Sequence, residues 1–94
     1  MSERRFHVGD RVRISPEHHW AKGALSTISL PPDGVNRSLT DPPNEPYQGC
    51  YRHTKGVKGL LTFYWVVFDE PQDDGSGDGS YAQAEIDADY LSLA

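Results

Sequence analysis

The sequence predicts an all-β domain, a small barrel of about five short strands with one long loop. Three observations lead there. Leu60–Phe68, LLTFYWVVF, is nearly continuously apolar, β-branched or aromatic and too short to span a membrane, the pattern of a central strand covered on both faces. Near the N-terminus Val12 and Ile14 alternate with Arg11 and Arg13, the period-2 pattern of a half-buried strand. Turn signals built from Gly, Pro and Asp separate these apolar runs along the chain.

Taken in order, FHVGDRVRISP is a turn at Gly9-Asp10 followed by a strand that Pro16 ends. EHHWAKG is a loop in which Gly23 allows a sharp turn. ALSTISL is the second strand, its inward set leading from Leu25 or Ala24 to Ile28 and Leu30. Residues 31–46 form the long Pro-rich loop and hold five of the seven prolines, whose missing N–H groups argue against sheet or helix. A loop of this length in a small domain points to a mobile or functional segment. YQGCYRHT is a short edge strand and KGVKG a turn. Asp69, Glu70 and Pro71 are the expected stop of the central strand, and residues 71–80 an acidic, Gly-rich hairpin loop. In AEIDADYLSLA, Ile86, Tyr90, Leu91 and Leu93 fit either one helical turn and a short strand or two strand fragments.

The 94 residues suit a single domain, 1–94, with one modest core. No apolar run reaches membrane-spanning length, MSERRFHVGD lacks the apolar stretch of a signal peptide, and the single cysteine, Cys50, excludes an internal disulfide. A cytoplasmic location is the expectation. The net charge of -5 is unevenly spread. Residues 1–60 hold all nine Lys and Arg against six acids, a net of +3, whereas residues 61–94 hold eight acids and no base. Either the surface is polarised, or the fold interleaves the two segments and smears the field out.

FHVGDRVRI, the loop ending in WAKGALSTI, YWVVFDEP and the closing EIDADYLSL together resemble the SH3-like barrel domain of nitrile hydratase β subunits. The resemblance implies an SH3-like barrel of about five strands that serves as a non-catalytic protein-interaction or enzyme-accessory module. It does not imply the enzyme. That family's metal sits in a cysteine cluster of the other subunit, this chain has one cysteine, and its FDEP departs from the family's Glu-Leu-Trp-Gly continuation.

Chemistry has few places to sit. Counted from Asp74, DGSGDGSYAQAE places Asp74, Ser76 and Asp78 at positions 1, 3 and 5 of a calcium loop, with Gly79 at 6 and Glu85 at 12. The Ser80 carbonyl completes a candidate calcium site. A polar hairpin tip whose Gly and Asp serve turn geometry explains the same residues. His7, His18, His19 and His53 show no zinc spacing, and no nucleophile is paired with a base, so no catalytic residue and no obligatory cofactor is expected. For partner binding the candidates are His18, His19 and Trp20 in the first long loop, with Tyr47, Tyr51 and Tyr64 as aromatic neighbours. Trp20 capping the barrel as part of the core is the competing account. Another protein is the expected partner. Nucleic acid, through Arg4, Arg5, Arg11 and Arg13 with Phe6 and Trp20, ranks below it because the chain is acidic.

Overall fold

Alternation shapes the first strand as its sequence requires. In β1 (Arg11–Ile14) Val12 and Ile14 are fully buried while Arg11 and Arg13 stay in solvent. The computed structural model describes residues 6–32, 47–56, 59–75, 77 and 79–94. Nearly all of the Pro-rich stretch, from residue 33 to 46, lies outside the described residues, as do Ser76, Asp78 and Arg4 and Arg5.

β1 pairs antiparallel with β2 (Leu25–Ile28), and the turn before it is set by Gly9. Gly9 takes φ +96°, open to glycine at little cost, and its N–H bonds the Ile28 carbonyl at 2.8 Å. Of the two phases left open for the second strand, the buried set is Ala24, Ser26 and Ile28. Leu30 falls beyond the strand and is exposed.

The spine of the sheet is β4 (Gly59–Asp73), on which three strands converge. β3 (Tyr51–Gly56) and then β2 pair along one of its edges, and β5 (Ser80–Asp87) pairs along the other. The hand-over falls at Trp65, whose N–H bonds the Cys50 carbonyl and whose carbonyl accepts from Ser29. After β5 one 3₁₀ turn, Ala88–Tyr90, leads to β6 (Leu91–Leu93), which returns to β1. The Asp87 carboxylate opens that turn by accepting from the Asp89 N–H at 2.9 Å. The result is an all-β, curled antiparallel half-barrel of six strands among the described residues.

The expected stop at Asp69–Pro71 is corrected, because β4 runs on to Asp73. Between the pairs Val67↔Gln83 and Gln72↔Tyr81, four residues of β4 oppose Ala82 alone. Pro71, which has no N–H to offer a ladder, is tolerated in that bulge, and the strand bends there instead of ending.

Alternation along β4 divides the molecule. Tyr64, Val66 and Phe68 enter the core with Phe6, Val12, Ile14, Ile28, Ile86 and Leu91. Phe63, Trp65 and Val67 point to the opposite face, where Trp65 is buried and the other two are half-buried.

Candidate functional site

Two aromatic constellations flank this sheet. The first grows from the turn after β1. Its backbone is tied down by the His18 N–H bonding the Ser15 carbonyl and the Ser15 N–H bonding the Tyr90 carbonyl. The His18 ring, 4 % exposed, accepts at Nδ1 from the backbone N–H groups of Trp20 (3.3 Å) and Ala21 (3.1 Å). Nδ1 therefore keeps its lone pair, and the proton of the neutral ring is on Nε2. Burial lowers the His18 pKa, His19 reinforces the shift, and Asp87 opposes both.

Around this ring the fold gathers residues from distant segments. His19 stacks on His18 at 4.6 Å, while Trp20 and Tyr90 meet it edge-on at 5.7 and 5.0 Å. Trp20 in turn stands edge-on to Phe68 at 5.7 Å and to Tyr81 at 5.9 Å. Trp20 and Tyr90 are half-buried against the core, and His19 and Tyr81 reach solvent. The loop after β1, the bend of β4, the start of β5 and the 3₁₀ turn thus share one aromatic rim.

The second constellation lies on the face away from the core. Arg52 of β3 has its guanidinium carbon 5.0 Å from the Phe63 ring centre and 5.9 Å from that of Tyr47. Its Nε donates to Glu85 Oε1 at 3.2 Å and its Nη2 donates to Glu85 Oε2, a bidentate pair with Arg52 almost fully buried. The Tyr47 hydroxyl also donates to Glu85 Oε1, at 2.9 Å, and burial together with the Glu85 charge pushes its pKa up. Trp65 packs edge-on to Tyr47 at 6.2 Å and donates its indole N–H to Gln83 Oε1 at 2.7 Å. Arg52 Nη1 is buried without a partner among the described residues, as is Ser26 Oγ in β2.

Of the partner-binding candidates, His18, His19 and Trp20 come together, and the three tyrosines do not join them. Tyr64 is a core residue, 3 % exposed, edge-on to Phe6. Tyr51 tilts against Tyr64 and His53, and Tyr47 belongs to the Arg52 cluster. Tyr81 and Tyr90, which complete the rim, were missed by sequence reasoning. Tyr81 reaches Trp20 only through the hairpin register that sets it opposite Gln72, and nothing in the local pattern carries that register.

Of the calcium candidates, Asp74, Ser80 and Glu85 are described and Ser76 and Asp78 are not. Ser80 pairs with Asp73 at the base of the β4–β5 hairpin, near Asp74. Glu85 sits five residues further along an extended strand, about 16 Å away at 3.3 Å per residue, with its carboxylate committed to Arg52 and Tyr47. Among the described residues no three His, Cys, Asp or Glu side chains group as a metal would require. Cys50 is buried in the core, with its thiol against the Phe6 carbonyl and its pKa raised by burial, while His53 is bonded to Thr62 Oγ1 at 3.0 Å.

The charge division along the chain is interleaved at two points. Arg11 grips Asp69 with bonds of 2.7 and 2.6 Å in solvent, and Arg52 grips Glu85 under cover. Each pair joins a base of the first segment to an acid of the second. No family model, curated protein or solved structure matches the chain.

Proposed function

We propose that the chain is a non-catalytic protein-interaction module whose docking face is the aromatic rim around Trp20. One observation carries this reading: Trp20 is held half-exposed between Phe68 and Tyr81, and Tyr81 itself is 38 % exposed. Large, rigid rings that already touch lose little freedom on binding, and Trp and Tyr are the residues on which interfaces most often depend. The rim is bordered by acids. Glu70 and Asp73 are exposed on the arm of β4 opposite Tyr81, and Asp87 and Asp89 flank Tyr90. An apolar or aromatic anchor with Lys or Arg beside it is the complement to such a surface.

The finer reading makes the half-barrel an SH3-like barrel akin to that of nitrile hydratase β subunits, and the chain an accessory subunit. The motifs GDRVRI, WAKG, YWVVF and DYLSL support it.

Immobilised chain tests the docking face. A His19→Ser/Tyr81→Ser variant changes only exposed rim residues, and Leu60→Ser changes an exposed residue of β4 outside the rim. Proteins retained from native cells by the parent and by Leu60→Ser, released by salt and lost with the rim variant, are the expected result. Identical retention by all three proteins sinks the proposal.

A further inference from the structure

We propose that His18 is a proton-sensitive latch that holds the Trp20 rim in its binding arrangement at neutral pH and releases it in mild acid. The claim builds on the docking reading in that the rim is the face regulated, but the latch is a property of the chain alone.

The geometry leaves the ring no room for a second proton. Nδ1 is the acceptor for two backbone N–H groups, those of Trp20 and Ala21, inside a turn where Ala21 is fully buried. A proton on Nδ1 would turn that acceptor into a donor facing two donors, leaving the Trp20 N–H without its partner and the Ala21 N–H without its partner in a buried place. Rotating the ring to avoid this breaks its edge contacts with Trp20 and Tyr90 and its stack on His19.

The charged and titratable groups around His18 act in both directions. On its own turn His19, stacked at 4.6 Å, adds a second positive charge when it too is protonated, and Glu17 and Lys22 stand exposed with opposite signs. From the end of β5, Asp87 attracts the proton, and from the 3₁₀ turn Asp89 stands exposed while the Tyr90 ring meets His18 edge-on. Burial outweighs Asp87, so the folded pKa lies below the ordinary 6.5. A group with a depressed folded pKa binds more protons when its turn is open. The latch is therefore fully set above pH 6.5 and is lost as the pH falls from there through the folded pKa.

Release would move Trp20 away from Phe68 and Tyr81, the contacts that hold it on the rim. The outer-face cluster does not share this dependence, because Trp65 is held by its bond to Gln83 and its packing on Tyr47.

The two indole N–H signals separate the possibilities when the free chain is titrated by NMR from about pH 8 to about pH 5, through the range where histidine changes charge. The expected result is a shift of the Trp20 indole and of the Trp20 and Ala21 amides with a midpoint below 6.5, while the Trp65 indole stays in place. Ala21 amide exchange, corrected for its intrinsic pH dependence, should rise about tenfold, the equivalent of one lost buried hydrogen bond. His18→Asn supplies an amide oxygen to the same two N–H groups and cannot titrate, so the Trp20 shift should vanish in it. Three results would overturn the latch: Trp20 signals that ignore pH, a transition surviving in His18→Asn, or Trp65 moving in step with Trp20. Because no partner is added, a working latch with no captured protein, or the reverse, tells the two proposals apart.

Discussion

Trp65 and Trp20 lie on opposite sides of the same strand, and their surroundings differ in what is already paired. Trp65 is 9 % exposed, its indole N–H is bonded to Gln83, and beside it Arg52 Nε and Nη2 and the Tyr47 hydroxyl are bonded to the Glu85 carboxylate, while Arg52 Nη1 has no partner among the described residues. Trp20 is held by three rings and stays half in solvent, with exposed His19 and Tyr81 next to it. The residue types are alike, so composition does not separate the two. A covered cluster whose opposite charges are already paired offers a partner little, whereas a half-covered set of rings retains apolar surface to bury. On that ground the Arg52 cluster is a second, polar core, and the Trp20 rim is the face we propose for recognition.

The largest effect should come from opening the covered side. Glu85→Ala leaves Arg52 buried without its carboxylate and should cost about 3–5 kcal/mol, enough to threaten so small a domain. Urea denaturation measures this, and pairing Glu85→Leu with Arg52→Met should recover most of the loss. If Glu85→Ala alone were harmless, the cluster would not be a core. On the rim, Trp20→Ala should cost only about 1–2 kcal/mol, in line with a half-buried ring, while abolishing capture of the partner. A stability loss matching that of Glu85→Ala would erase the distinction between the two regions. Smallest of all should be Asp69→Asn at the solvent-exposed Arg11 pair. Arg11 holds the Asp69 pKa below its ordinary value, so its small contribution is present at neutral pH and lost as the pH falls through the acid range. The parent's advantage over the variant should fade when salt is added, and an advantage unchanged by salt would contradict the assignment of a surface pair.

Much of the fold was legible because the signals are local. The alternation of Val12 and Ile14 with Arg11 and Arg13 is a property of four consecutive residues, and it appears unchanged in β1. The apolar run at 60–68 marked the middle of the sheet, where β4 collects three partners, but only from Tyr64 on is it buried; Leu60 and Leu61 at its start are exposed. Pro71 misled because a missing N–H stops a regular ladder, yet the ladder there is already broken by a bulge. Half of the rim was visible as His18, His19 and Trp20. The other half was hidden, since Tyr81 and Phe68 come to Trp20 from strands that long-range register brings there. The spacing from Asp74 to Glu85 suggested a metal loop because it counts residues along the chain. That Glu85, up strand β5, pairs with Arg52 is not visible in that count.

By itself the order of residues determined the all-β class, the inward set of β1, the central position of the long apolar strand and the acidic hairpin, since each follows from side-chain period or turn chemistry within a few neighbours. Only the tertiary structure decided which charges meet, which rings share a margin, and how far the sheet curls. Those outcomes depend on pairings between distant segments, Arg11 with Asp69, 58 residues further on, among them, and no local pattern encodes the register that makes them.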